Sequence, residues 1–211
     1  MSNVVLIDYG SGNLPSARKA LAVAAGDAAR VVVSDDPEIV ASADRIVLPG
    51  VGAFTACMKA LEARPGLIEA MNEAVRTRGA PFLGVCVGMQ LLATRGLEFG
   101  EYPGLDWIAG EVSVLKPSDA GFKVPHMGWN ALSDISDHAL LAGLGEAPHM
   151  YFTHSYAFLP SDRADVIAGV DHGGAFAAMV AHGNVAGAQF HPEKSQAAGL
   201  RLLSNFLGWK P

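Results

Sequence analysis

The chain has 211 residues, half of them hydrophobic, and a formal net charge of −6 at pH 7. This length and apolar content suit one α/β domain over residues 1–211, and no block of Lys or Arg favours nucleic acid as a partner. The two cysteines, Cys57 and Cys86, form neither a disulfide framework nor a zinc-type spacing. No apolar run reaches the ~20 residues that span a bilayer, and the first residues lack the basic start of a signal peptide. The sequence therefore predicts a cytoplasmic protein that makes no membrane contact.

The first half of the chain alternates between strand and helix patterns. Short apolar runs predict strands at residues 4–7, 31–33, 46–48 and 82–85, and helical composition predicts helices at 15–25, 54–63 and 66–77. Strand, helix and strand in this rhythm predict a parallel sheet with helices on both faces.

The second half reads as strands without intervening helices. They are expected at residues 111–115, 129–132, 151–158, 166–170, 176–181 and 185–190, and Gly183-Asn184 is a two-residue turn signal between two of them. A helix at 197–209 closes the chain, with leucines along one face. We therefore expect antiparallel strands added to a parallel core.

One cysteine lies in a glycine bracket, Gly84-Val85-Cys86-Val87-Gly88. An apolar strand precedes it and a helical pattern follows, so Cys86 is predicted at the vertex of a sharp strand-to-helix turn that exposes its sulfur. The N–H groups and positive end of the following helix favour a thiolate, and the Val87 N–H is placed to stabilise an oxyanion. Taken alone, this segment is equally consistent with a structural role, in which Cys86 is a small core residue packed between two glycines.

A second segment, His191-Pro192-Glu193, follows the predicted strand 185–190. Pro192 favours extended backbone at His191, and side chains two residues apart in extended backbone share a side. Glu193 is therefore expected to reach one ring nitrogen while the other faces Cys86, at a strand end where open α/β sheets place their sites. The alternative is a solvated strand-exit turn.

Two glycine-rich turns also follow predicted strands. Pro49-Gly50-Val51-Gly52 is a candidate for a second oxyanion donor, because glycine lets a backbone N–H point into a site; the alternative is an ordinary turn.

Asp8-Tyr9-Gly10-Ser11-Gly12-Asn13 is weak as a dinucleotide fingerprint, since Pro15 stands where the third glycine belongs. A turn with another purpose is expected there.

Together these segments resemble the class I (triad) glutamine amidotransferases over the whole chain, and among them the glutaminase subunits of imidazole glycerol phosphate synthase. The Pro-Gly-Val-Gly and Met-Gly-Trp-Asn stretches are the more specific signals for these subunits. The resemblance implies a flavodoxin-like three-layer α/β/α fold with a mostly parallel central sheet plus antiparallel C-terminal strands. In chain order, the matching segments are Asp8-Tyr9-Gly10-Ser11-Gly12-Asn13-Leu14, Leu48-Pro49-Gly50-Val51-Gly52-Ala53-Phe54, Gly84-Val85-Cys86-Val87-Gly88-Met89-Gln90, Pro125-His126-Met127-Gly128-Trp129-Asn130, Tyr151-Phe152-Thr153-His154-Ser155-Tyr156 and Gln189-Phe190-His191-Pro192-Glu193-Lys194-Ser195.

The resemblance implies glutamine hydrolysis through a glutamyl-thioester. Cys86 would attack the side-chain amide, His191 would move the protons, and Glu193 would hold the His191 tautomer. By the same resemblance, N–H groups of Val87 and of the Val51–Gly52 segment would bind the oxyanion. The chain departs from many relatives at Thr94-Arg95-Gly96-Leu97, where a Ser is common shortly before Glu98. By resemblance, the substrate contacts are Gly50, Gly52, Gln90, Glu98, His154, Ser155 and Tyr156.

The resemblance also implies a partner, a (β/α)8-barrel cyclase subunit that receives the ammonia internally. Asn13, Trp129, Tyr151 and Lys194 match family positions at that interface. No cofactor or metal is expected, and His126 matches a family motif without an assigned role. Without its partner the enzyme is expected to be nearly silent, because the Pro-Gly-Val-Gly segment would first present a carbonyl to the oxyanion position. Two alternatives remain open: a glutaminase that serves another synthase, and a non-catalytic scaffold of the same fold.

Overall fold

Two β-sheets form the frame of the computed structural model, which describes residues 2–118 and 121–211. The larger sheet has nine strands and the smaller one has four. In the described residues the strands are β1 Ser2–Ile7, β2 Ala29–Ser34, β3 Arg45–Gly50, β4 Phe82–Cys86, β5 Arg95–Gly96, β6 Tyr102–Pro103, β7 Gly110–Val114, β8 His126–Ser133, β9 His149–His154, β10 Tyr156–Pro160, β11 Val166–Asp171, β12 Ala175–His182 and β13 Val185–Ala188.

The larger sheet joins a parallel half to an antiparallel half. Its strand order is β2-β1-β3-β4-β13-β12-β11-β8-β9. The pairs from β2 to β13 are parallel, and those from β13 to β9 are antiparallel. Residues 4–7 of β1 and all of β4 are buried, as parallel strands covered on both faces should be. The predicted α/β class with added antiparallel strands is confirmed.

The α-helices form two groups beside this sheet. One group pairs α1 with α6, and in the other α2 and α3 both contact α4. The predicted helix at 66–77 is α4 followed by a wider π-helical turn, Glu73–Thr77. In the described residues the α-helices are α1 Leu14–Ala25, α2 Pro37–Ala41, α3 Phe54–Glu62, α4 Leu67–Asn72, α5 Val87–Gln90 and α6 Gln196–Gly208.

Helix α2 is absent from the sequence-based expectation although its start signal is present. Asp36 caps the helix by accepting a hydrogen bond from the Glu38 N–H at 2.9 Å, and Pro37 is its first residue. The helix has only five residues and one of them is buried. A segment this short cannot show the periodic apolar pattern that predicts a helix from sequence.

The predicted strand at 151–158 is wrong as a single element. It breaks at Ser155 into β9, an edge of the larger sheet, and β10, an edge of the four-stranded sheet with order β10-β7-β5-β6. The chain changes sheet at this residue, which alternation of apolar side chains cannot reveal. The predicted Gly183-Asn184 turn is confirmed, because it joins β12 to β13 with His182 opposite Val185.

No helix within residues 2–118 and 121–211 is long and apolar enough to cross a lipid bilayer.

Candidate active site

Cys86 is the last residue of β4 and stands directly before α5. Its backbone has φ 55° and ψ −112°, a left-handed conformation that is costly for a residue with a side chain and is common at functional turns. The predicted strand-to-helix vertex is therefore confirmed, but the predicted exposure of the sulfur is wrong, because Cys86 is only 4% exposed. The helix behind it is short: α5 has four residues, so it offers the free N–H groups of one turn rather than a large macrodipole.

The glycines around Cys86 are required by contact between the turn and β3. A Cβ atom on Gly88 would collide with the carbonyl oxygen of Leu48, and one on Gly84 would collide with the carbonyl of Gly88. Gly50 lies opposite Cys86 in the β3–β4 pair, and a Cβ there would come within 2.6 Å of the Gly88 nitrogen. The bracket thus brings the end of β3 against the turn that carries the sulfur.

His191 lies three residues beyond β13, at the start of a 3₁₀ turn, Pro192–Lys194. Its Nδ1 is 2.9 Å from Glu193 Oε1, and both side chains are almost fully buried. Its Nε2 is buried without a hydrogen-bond partner in the described part of the chain, and the nearby Cys86 sulfur raises the pKa of the ring. The carboxylate therefore sets the ring orientation and leaves Nε2 to the cysteine.

Two opposing effects act on the His191 ring. Burial lowers the pKa of His191, but the Cys86 sulfur and the Glu193 carboxylate raise it by more, to about 9. At neutral pH the ring is therefore stable as an imidazolium beside the Cys86 sulfur, and it can hold the proton of that sulfur. This charge arrangement activates a cysteine nucleophile and provides the acid for a leaving amine.

The segment at the end of β3 is held by Ser11. The Val51 N–H donates to Ser11 Oγ at 3.1 Å, and the Ser11 hydroxyl donates to the Val51 carbonyl at 2.9 Å. The thiol of Cys57 also donates to that carbonyl, at 3.4 Å. Both backbone groups of Val51 are thus engaged with neighbouring side chains, and the predicted oxyanion donor at this residue is committed to Ser11. Gly52 has φ 93°, a conformation that glycine adopts without strain.

Cys86 and His191 open into one cavity of about 220 Å³. This volume is below the range of ≈ 300–1,000 Å³ typical of drug-sized ligands, so the cavity suits a small metabolite. Glu193 and Gly50 lie behind it, beside a second and much smaller cavity. The lining residues are Val51, Gly52, Cys86, Val87, Gln90, Glu98, Thr153, His154, Ser155, Tyr156, His191 and Lys194.

Two predicted substrate contacts also make bonds within the protein. Glu98 lines the cavity and accepts a hydrogen bond from the Phe54 N–H at 2.7 Å, so it caps α3, whose preceding residue Ala53 provides no side-chain cap. The Gln90 amide nitrogen donates to the Tyr156 carbonyl at 3.0 Å. Both side chains are therefore held in place before any ligand binds.

The four predicted interface residues divide into two groups. Trp129 on β8 is 48% exposed and meets the Tyr151 ring of β9 edge-on, at 6.0 Å between centroids. The Lys194 ammonium lies over the same tyrosine ring at 5.5 Å. Asn13 is apart from these three and caps α1 by accepting from the Ser16 N–H at 3.4 Å. Trp129 is therefore half-exposed at the surface and not a core residue.

Three residues of this site were not singled out from the sequence. Thr153 lines the cavity, and the Gln189 amide approaches the Cys86 sulfur at 3.7 Å. Ser195 Oγ accepts from the Tyr151 N–H at 3.0 Å and donates to the His191 carbonyl at 2.7 Å. Thr153, Gln189 and Ser195 all lie within the matching segments, but their side chains carry no distinctive spacing, and only the fold brings them to the site.

In the described residues no group of His, Cys, Asp and Glu side chains is arranged to hold a metal ion. His126, His154 and His172 do cluster, but through hydrogen bonds and ring stacking with one another.

Comparison with known proteins agrees with this geometry. Residues 5–208 match the family model "Glutamine amidotransferase class-I". The chain is 59% identical to imidazole glycerol phosphate synthase subunit HisH of Caulobacter vibrioides, with all of both chains covered. It is 56% identical to the HisH subunit of Rhodospirillum rubrum, with 99% of each covered. A solved glutamine amidotransferase has the same fold at 21% identity, with a TM-score of 0.71 over 97% of this chain and 99% of that one. The chain belongs to the class-I glutamine amidotransferase family.

Proposed function

We propose that this chain is the glutaminase subunit of an imidazole glycerol phosphate synthase and supplies ammonia for histidine biosynthesis. The observation that carries the proposal is the arrangement of Cys86, His191 and Glu193 at one small cavity, in a chain that is more than half identical to HisH subunits over its full length. A reducing compartment, the cytoplasm, suits an enzyme whose nucleophile must remain a free thiol.

The reaction takes place in two halves at Cys86. His191 Nε2 holds the proton of Cys86 at the start, and the sulfur attacks the side-chain amide carbon of glutamine. His191 then protonates the departing nitrogen, the carbon–nitrogen bond breaks, and ammonia leaves a glutamyl-thioester. His191 next removes a proton from water, the hydroxide attacks the thioester, and glutamate departs as the sulfur recovers a proton. Glu193 stabilises the imidazolium at each stage.

The negative charge on the tetrahedral intermediates needs two donors. The Val87 N–H, the first of α5, provides one, because the first N–H groups of a helix have no intrahelical acceptor. The second comes from the Val51–Gly52 segment, whose Val51 N–H is committed to Ser11. We therefore propose that the backbone of the Val51–Gly52 segment must change conformation, so that an N–H group points to the oxyanion, before the site is complete. A missing oxyanion donor costs about 3–4 kcal/mol of transition-state stabilisation, which is enough to keep the resting enzyme nearly silent.

The substrate binds along the cavity wall. Gln90 and the backbone from His154 to Tyr156 contact the glutamine, Glu98 receives its amino group, and the glycines at the end of β3 leave room for it.

The partner is a (β/α)8-barrel cyclase subunit that accepts ammonia through its interior and makes imidazole glycerol phosphate and an aminoimidazole carboxamide ribonucleotide. It docks on Trp129, Tyr151, Lys194 and Asn13, since exposed aromatic side chains are favoured at interface centres. Tyr151 also connects this surface to the chemistry, because its carbonyl accepts the His191 N–H at 2.9 Å.

Affinity labelling tests the proposal. A glutamine analogue with an electrophilic side-chain carbon should modify Cys86 once per chain, and free glutamine should protect it. Cys57 is the internal control, because burial raises the pKa of its thiol and keeps it unreactive. A scaffold without activity would leave Cys86 unmodified, or modified at the rate of Cys57. Labelling without any response to the cyclase subunit would favour a glutaminase of another synthase.

A further inference from the structure

The buried polar side chains of this protein gather at one place. Among the described residues six are buried, namely Gln90, His126, His154, Gln189, His191 and Ser195. Three of them, Gln189, His126 and Ser195, have no part in the reaction above. Buried polar groups cost free energy unless they are paired, so their partners indicate what each one does.

Gln189 is fully buried on the segment between β13 and His191. Its Nε2 lies 3.7 Å from Cys86 Sγ, and its Oε1 lies 3.0 Å from Gln90 Nε2. The distance to sulfur is normal for an N–H donor, because sulfur is larger than oxygen. Gln189 thus places a second polar side chain beside the Cys86 sulfur, in addition to His191.

The hydrogen-bond partners of Gln90 and Gln189 determine which atom of the Gln189 side-chain amide faces the sulfur. The Tyr156 carbonyl can only accept, so the Gln90 atom at 3.0 Å from it must be the nitrogen. The second hydrogen of that nitrogen points to Gln189, whose facing atom must then be the oxygen. The remaining Gln189 atom, at the sulfur, is therefore the NH₂ group. Turning either amide over would bring two acceptors or two donors together.

A pair of histidines fixes the same carbonyl from its other side. His154 Nδ1 lies 2.8 Å from the Tyr156 carbonyl and must carry a proton. His154 Nε2 then accepts from His126 Nδ1 at 3.0 Å, and His126 Nε2 accepts from the Asn130 amide at 3.2 Å. This sequence of bonds requires both rings to be neutral. Burial first, and neighbouring histidines second, lower the pKa of His126 to about 3, and burial lowers that of His154 to about 4.

We propose that Gln189 is a further catalytic residue, whose amide N–H donates to the Cys86 sulfur and stabilises the thiolate. Gln90, together with the neutral His154–His126 pair, positions it. The Cys86 proton goes to His191 Nε2, and the sulfur then carries a negative charge that Gln189 meets with a donor already aimed at it. Such preorganised donors need no rearrangement when charge develops. The inference rests on the proposed role of Cys86 as the nucleophile.

Titratable side chains surround the sulfur on several sides, and Glu98, His154 and Lys194 line the same cavity as Cys86. His191 faces it from beyond β13, with Glu193 behind the ring. Tyr9 after β1 and Cys57 on α3 interact with Cys86 through space. Burial raises the pKa of both Tyr9 and Cys57, so both groups favour their neutral forms. Because all these groups are the same in the parent chain and in a Gln189 variant, a difference in Cys86 ionisation between the two reports on Gln189.

The test compares Gln189→Leu with the parent chain in the rate of Cys86 alkylation by iodoacetamide between pH 5 and 9, followed peptide by peptide. Loss of the donor should move the midpoint upward by about one pH unit, which is about a tenfold lower rate below the midpoint. The ultraviolet absorbance of the thiolate should move in parallel. Gln196→Leu, the same change at an exposed residue, should leave the midpoint in place.

An isosteric variant keeps the test decisive if Gln189→Leu fails to fold. Gln189→Glu can still accept from Gln90 but presents a carboxylate to the sulfur, so the midpoint should rise at least as far. A folded variant with lowered thermal stability and an unchanged alkylation midpoint would overturn the proposal and leave Gln189 a packing residue. Because alkylation needs no glutamine turnover, that result would leave the proposed glutaminase function standing.

Discussion

Each member of the proposed triad is held by a different physical device. The left-handed backbone of Cys86 is maintained by glycine contacts on both sides of the turn, and the His191 ring by a carboxylate two residues away. Glu193 itself is buried by the turn it belongs to. Local strain of this kind persists only where the surroundings determine it fully, so single-atom changes here should alter the chemistry before they alter the fold.

The first prediction concerns Glu193→Gln. Removing the carboxylate takes away one of the two influences that raise the pKa of His191 to about 9, so the alkaline fall in kcat/KM should begin at a lower pH than in the parent enzyme. The orienting acid of such triads is worth on the order of 10²–10⁴ in kcat. The measurement is the pH profile of glutamate release in the presence of the partner. A profile that keeps its alkaline limb near pH 9 would mean that Glu193 does not act on the ring.

The second prediction concerns Ser11→Ala. The Ser11 hydroxyl contacts both backbone groups of Val51, and losing it should free the N–H for the oxyanion. One such hydrogen bond is worth about 1 kcal/mol, so glutaminase activity without the partner should rise about fivefold, and the stimulation by the partner should shrink. Ser16→Ala, at the first turn of α1, is the matched control. Unchanged partner-free activity in Ser11→Ala would remove Ser11 from the gate.

At the scale of elements, β9 and the turn after β13 are joined by a closed ring of hydrogen bonds. The Tyr151 N–H donates to Ser195 Oγ, the Ser195 hydroxyl donates to the His191 carbonyl, and the His191 N–H donates to the Tyr151 carbonyl. Tyr151 belongs to the surface proposed for the partner. A shift of β9 on docking would therefore move the backbone of His191 directly.

The third prediction follows from this ring. Ser195→Ala should leave the part-buried Tyr151 N–H without its partner and the His191 carbonyl with only the Lys194 N–H, which costs about 1–3 kcal/mol in the free energy of unfolding. It should also reduce the stimulation by the partner more than the binding of the partner. Denaturant unfolding and the stimulation ratio measure these effects, with the exposed Ser204→Ala of α6 as control. Stimulation equal to that of the parent enzyme would show that β9 does not act through Ser195.

At the scale of the whole molecule, the sequence predicts the alternation of strands and helices. It also predicts the two segments that carry the proposed catalytic side chains. The Cys86 turn and the His191–Glu193 pair are local, so glycine brackets and residue spacing are enough to indicate them. Gln189, Ser195 and the Ser11–Val51 contact are long-range and depend on which strand ends meet. The break at Ser155 is of the same kind, because it reflects a change of sheet rather than a change in side-chain pattern.

The fourth prediction is a stability maximum near pH 6.5. The unfolded histidines titrate near 6.5, whereas folded His126 and His154 have pKa values of about 3 and 4. The unfolded state therefore binds more protons as the pH falls below 6.5, and stability is lost. His191 has a folded pKa of about 9, so its contribution is present below pH 6.5 and is lost as the pH rises through 9. Thermal unfolding between pH 4 and 10 measures this stability. An unfolding temperature that rises steadily with pH, or falls steadily with pH, over the whole range would contradict the prediction.

The central claim is a glutaminase whose Cys86 site becomes competent only with its partner. The most direct measurement is glutamate release from glutamine by this chain alone and by the chain with the cyclase subunit and its nucleotide substrate, with Cys86→Ala in both arms. We predict strong release only in the complete mixture and none from Cys86→Ala. Equal release in both arms, or release that survives loss of the sulfur, would contradict the account.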